Sequence, residues 1–155
     1  MSPDENARAL KAHFEKFSKR DMDGLLAPYN EKSVVIDHAL QLRCQGIEQV
    51  RAFYQEQFDF SSDQIFEISN MFAAGEWVCA QTTAVGTHDG VFAGHQATHK
   101  PYKFSFCNVV RYADDGMILE DHVYYDLSKV ASNLWNLEAL WNVFQLPPPE
   151  SRGEH

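Results

Sequence analysis

The chain has 155 residues, room for one domain with its own core, and 45% of them are hydrophobic, a globular composition. Its net charge of −9 disfavours nucleic acid and anionic lipid as partners, because both call for clustered Lys and Arg. The first residues lack the apolar run of a signal peptide, and no run reaches the roughly 18 apolar residues of a membrane span. The three cysteines, Cys44, Cys79 and Cys107, are odd in number and have no CxxC spacing. They read as free thiols, which suits a cytoplasmic protein.

Taken in chain order, residues 4–20 have Leu10, Phe14 and Phe17 at helical spacing. Asp21 then caps a short second helix that Pro28 ends. "SVVIDHAL" (33–40) is β-branched and predicts a strand, and Gly46 precedes a helix over 47–58. Residues 64–72 and 76–87 predict two strands joined at Ala74-Gly75. Residues 102–113 and 117–126 predict another pair, and Asp114-Asp115-Gly116 between them is a hairpin signal. A last amphipathic helix is expected over 127–144. The order predicts an α+β fold over residues 1–145, with one curved, mostly antiparallel sheet and helices on one side. The Pro-rich, polar residues 146–155 predict a disordered tail.

Eleven Phe, six Tyr and three Trp are more rings than a small core needs, so an aromatic-lined cavity at the sheet's open end is expected. Polar residues that could face it come from three strands. In "ILEDHVYYDL", Glu120, His122, Tyr124 and Asp126 alternate and would share one face. A carboxylate facing an apolar cavity is raised toward working pH and can act as a base, and Asp126 is the candidate for that role. His122 and Tyr124 would supply hydrogen bonds beside it. The same stripe could equally face solvent, with Asp126 capping the helix from Leu127 and Glu120 a surface acid. His38 ends the first strand on the face of Val34 and Ile36. Asn108 alternates with Phe104 and Phe106, an amide among rings suited to orienting a small molecule.

His88, His95 and His99 lie in a Gly-rich loop without a helical frame, so no metal site is expected there. GxGxxG, GxxxxGK[ST] and GxSxG are all missing, so no nucleotide cofactor or serine hydrolysis is indicated.

"GTHDGVFAG" (86–94), Thr98-His99-Lys100, Arg111-Tyr112, Asp115-Gly116-Met117-Ile118 and the closing Asp126 together resemble the SnoaL-like polyketide cyclase family of the NTF2-like superfamily. "DHA" at 37–39, the Gly-Ile-Glu segment at 46–48 and "FDFSSDQIFEI" fit the same pattern. The resemblance spans about 33–134. It implies a cone-shaped α+β barrel, commonly a homodimer packed through its sheets, with a pocket that works without a cofactor. It also implies an Asp on the closing strand as the acid/base of an intramolecular aldol closure, a role it would give to Asp126. Three functions are open at this point. They are an acid/base enzyme acting on an apolar carbonyl compound, a non-catalytic binder of a small apolar ligand, and an assembly module with a vestigial pocket.

Overall fold

Ser2 starts the first helix with a capping box. Its hydroxyl accepts from Glu5 N at 3.3 Å, while the Glu5 carboxylate accepts from Ser2 N at 2.7 Å. With Pro3 in the first turn, α1 (Pro3–Ser18) is fixed at its start, and it buries Leu10, His13, Phe14 and Phe17 along one face. Asp21 accepts from Gly24 N and caps α2 (Met22–Leu26), as expected from the sequence. The computed structural model describes residues 1–92 and 94–135.

The remaining elements are β1 (Val34–Asp37), β2 (Leu42–Gln45), α3 (Ile47–Phe60), β3 (Ile65–Ala74), β4 (Trp77–Thr87), β5 (Pro101–Tyr112), β6 (Ile118–Tyr125) and α4 (Leu127–Leu134). The fold is α+β, one curved six-stranded sheet in the order β2-β1-β6-β5-β4-β3, wrapped around the N-terminal helices. Among the described residues only β1 and β6 run parallel, and every other pair is antiparallel.

Two expectations change. The first strand stops at Asp37, and the chain returns as β2, a strand that the sequence did not lead one to expect. "LRCQ" is short and mostly exposed, so it carries no alternation to detect. The helix after β6 ends at Leu134, because Trp135 turns to extended backbone while its N–H still bonds Ala131 O. The rest of the expected helix and the tail at 146–155 lie outside the described residues.

The core sits between α1, α3 and the inner sheet face. Phe17 stacks on Phe66 at 4.1 Å, and Phe14 meets Phe66 and Phe106 edge-on. Val78, Ala80 and Ala84 of β4 are fully buried. A space remains between α1, α3 and the inner faces of β5, β6 and β1.

Candidate active site

That space is an aromatic cavity. Phe14, Phe17, Phe53, Phe66, Phe104 and Phe106 supply its apolar wall, with Phe60, Phe92 and Val130 toward the end near α4. Its polar lining is His13, Tyr54, Gln57, Gln64, Asp37, Asn108, Asp121 and Tyr125. Phe104, Phe106 and Asn108 thus lie in the cavity wall, Asn108 only 4% exposed.

β6 presents the opposite face from the one expected. Arg111 pairs with Glu120, yet Tyr112 pairs with Ile118, so Leu119 is an extra residue on β6. This bulge resets the alternation. Ile118 points inward, but beyond the bulge it is Asp121, Val123 and Tyr125 that face the cavity. Glu120, His122 and Tyr124 are turned to the outer face. There His122 Nε2 meets Glu120 at 3.1 Å, its Nδ1 meets His38 Nε2 at 3.0 Å, and the exposed Tyr124 ring stacks on His38 at 4.2 Å. His38 lies outside with them, since the inward residues of β1 are Val35 and Asp37.

Asp126 lies past the strand end and is exposed. Its carboxylate accepts from Ser128 N at 2.9 Å, Ser128 Oγ at 2.5 Å and Lys129 N at 3.3 Å, the N-cap of α4. The Ser128 hydrogen bond leads in holding its acid below the ordinary carboxylate range, the reverse of what a base in an apolar pocket requires. Asp126→Ala is therefore expected to cost about 1 kcal/mol in denaturant unfolding through the lost cap, with cavity chemistry unaffected.

The buried carboxylate is Asp121, 3% exposed. Burial raises its acid to about 6, against the hydrogen bonds from Asn108 and Tyr29 and the charge of His122. Asn108 Nδ2 donates to Asp121 Oδ1 at 2.7 Å, and Tyr29 OH lies 3.5 Å from Oδ2. A phenol chain continues from there: Tyr29 OH to Tyr54 OH at 2.8 Å, then Tyr54 OH to His13 Nε2 at 2.8 Å. A second buried carboxylate, Asp37, accepts from Tyr125 OH at 3.0 Å and Leu40 N at 2.8 Å. Asp121 pairs with Val35, two residues before Asp37 on the parallel strand, so both acids project from one face.

Three buried polar atoms of the lining have no protein partner: His13 Nδ1, Gln64 Oε1 and Asn108 Oδ1. Such atoms are costly to leave unpaired. Among the described residues no group of His, Cys, Asp and Glu is arranged to hold a metal ion.

Sequence reasoning missed Asp121, Asp37 and the His13–Tyr54–Tyr29 chain. A signal for Asp121 was present: it shares its strand parity with Val123, a better core residue than either His122 or Tyr124.

The "GTHDGVFAG" segment fastens the cavity's end rather than reacting in it. Asp63 accepts from Thr87 N and Oγ1 at 2.7 and 2.8 Å, and Asp89 accepts from Ser62 N and Oγ. His88 is fully buried, and its Nδ1 accepts from Thr98 N. Gly90 N donates to Phe60 O, at the end of α3.

The model of the SnoaL-like polyketide cyclase family matches residues 7–134. The chain belongs to that family. Its fold recurs in solved structures. A candidate SnoaL-like polyketide cyclase from Jannaschia sp. CCS1 superposes with a TM-score of 0.79 at 21% identity, covering 88% of this chain and 96% of that one. AclR from Streptomyces galilaeus, described as a candidate hydroxylase, gives 0.76 at 16% identity over 86% and 97%. A hypothetical protein with a ketosteroid isomerase-like fold from Catenulispora acidiphila, solved with trimethylamine, gives 0.71 at 18% identity over 81% and 91%. No match was found among curated proteins. At these identities the likeness is one of fold: this SnoaL-like chain shares the NTF2-like cone of its neighbours, and its chemistry has to come from its own cavity.

Proposed function

We propose that this SnoaL-like protein is an acid/base enzyme that needs no cofactor and acts on an apolar carbonyl compound, with Asp121 as the base. The observation that carries this is a carboxylate only 3% exposed, raised to about 6, in an aromatic cavity. Near neutral pH such a group is largely ionised yet poorly solvated, the condition for taking a proton from carbon.

Asp121 removes a proton from the carbon next to a carbonyl, and the electron pair of that C–H bond becomes an enolate. In a cyclase the enolate carbon attacks a second carbonyl of the same molecule, forming the C–C bond. The new alkoxide then takes the proton back from the Asp121 carboxylic acid. In an isomerase the proton returns to a different carbon instead. Asn108 holds the carboxylate in place, and the Phe104 and Phe106 rings exclude water, which strengthens both interactions. The test is turnover of aryl diketones and polyketide-like oligoketides by the wild type and by Asp121→Asn. Tight binding of such compounds with no turnover would instead favour a ligand-holding role.

The outer sheet face supports a homodimer. Ile65, Phe72, Trp77 and Tyr124 are large side chains exposed on it, from 38% to 58%. A second copy packed there is expected to give twice 17.7 kDa by light scattering, and Phe72→Glu with Trp77→Glu is expected to return the monomer mass. Three free thiols and the acidic surface charge support placement in the cytoplasm. No helix among the described residues is long and apolar enough to cross a membrane.

A further inference from the structure

The phenol chain behind Asp121 can point in either of two directions, and His13 decides which. Each phenol has one proton to donate. If His13 carries its proton on Nε2, it donates to Tyr54, Tyr54 donates to Tyr29, and Tyr29 donates to Asp121 Oδ2. If the proton is on Nδ1, Nε2 accepts from Tyr54, Tyr54 accepts from Tyr29, and no phenol proton is left for Asp121. The first direction stabilises the carboxylate; the second withdraws a donor from it.

The choice is real because the ring carries one proton. Burial lowers the imidazole to about 4, so it is neutral at ordinary pH. His13 is 6% exposed, its ring lines the cavity, and Nδ1 has no protein partner. An occupant of the cavity can supply that partner.

We propose that His13 couples the cavity's occupant to Asp121: a carbonyl oxygen that accepts from Nδ1–H selects the direction in which Tyr29 no longer donates to Asp121, so the carboxylate becomes the stronger base only when a carbonyl compound is bound. His13 is then a binding contact for the ligand oxygen and a positioning residue for the base. The coupling deepens the proposed function and rests on Asp121 being its base. The groups around Asp121 are Asn108 and Tyr112 from β5, Tyr29 after α2, Tyr54 from α3, and Asp37 beside it on β1, with His122 acting by charge alone from the outer face of β6. Of these, Tyr29 alone connects Asp121 through hydrogen bonds to His13.

The test is an NMR titration of the full chain, following the His13 ring nitrogens by 15N shift and the Asp121 carboxyl by 13C shift. The probes are acetophenone, a neutral aryl ketone, and ethylbenzene, its carbonyl-free analogue. Saturating acetophenone is expected to move His13 to the Nδ1–H tautomer and raise the Asp121 midpoint by about one pH unit. Ethylbenzene is expected to do neither. In Tyr54→Phe the relay is cut and Tyr29 is free to donate, so the Asp121 midpoint should stay near its value in the unliganded wild type and acetophenone should no longer raise it. His13→Phe should block the rise in the same way, which provides a second variant if one of them folds poorly. Equal shifts with both probes, acetophenone bound with the tautomer unchanged, or an acetophenone-induced rise that persists in the variants would overturn the proposal. So would a failure of acetophenone to bind at millimolar concentration. The titration needs no turnover. A coupled but inactive protein would refute only the catalytic role of Asp121, and an active one without coupling would refute only the relay.

Discussion

Asp121→Asn is expected to abolish turnover and to make the protein more stable. The amide keeps the shape, and its oxygen can still accept from Asn108 Nδ2, so the cavity is preserved while the base is lost. Removing a general base of this kind costs about 10³-fold in kcat. The stability gain follows from the raised acid. Asp121 binds its proton more tightly in the native state, at about 6, than the ordinary value of 3.8 in the unfolded chain. Its contribution to stability is therefore fully present below about pH 4 and is lost as pH rises through 6. A rise of that size corresponds to about 3 kcal/mol as an upper bound, so urea unfolding at pH 8 should favour the Asn variant by up to that amount, with the gap closing by pH 4. A variant with wild-type turnover would remove Asp121 from the mechanism. One equally stable at both pH values would mean that its carboxylate is not the desolvated group described.

The second large effect is expected at Gly90. A Cβ there would fall inside the van der Waals shell of the Asp59 carbonyl oxygen, and Asp59 C would be 2.8 Å away. Those are backbone atoms at the end of α3, so they cannot swing aside as a flexible side chain would. Gly90 N also donates to Phe60 O, so moving the loop away breaks the clasp with it. Gly90→Ala is expected to cost about 3 kcal/mol or more in denaturant unfolding. Gly75→Ala is the control. Its turn has a positive φ of 57° but open space around it, so about 1 kcal/mol of backbone strain is expected. If the two variants lose the same amount, the close approach to α3 does not matter.

The sequence carried the family and the fold well, and the site unevenly, for a local reason. The Asp115-Gly116 turn is legible because its geometry is local: Gly116 sits at φ 84°, where glycine is favoured. Asn108 among Phe104 and Phe106 is legible because β5 keeps strict alternation from Tyr102 through Tyr112. β6 is different. Counting from the buried Ile118 puts His122 and Tyr124 inside, and only the extra residue Leu119 corrects the count. Nothing in "ILEDHVYY" marks a bulge, since no glycine or proline stands there. The His13 chain was hidden for another reason. His13, Tyr29, Tyr54 and Asp121 are distant in sequence, and each looks ordinary in its own element.

The bulge at Leu119 also bears on which length changes the chain can tolerate. β6 is wedged between β5 and β1, with cavity chemistry on one face and the Glu120–His122–His38 group on the other. Deleting Leu119 would remove the bulge yet leave both faces as they are, with Ile118 and Asp121 still inward, whereas pairing every residue regularly from Ile118 would exchange the two faces. Insertions within the exposed turn itself leave the phase intact. Changes of length should therefore be permitted before Ile118, while between Ile118 and Asp121 it is the one-residue bulge that sets the phase of the whole site.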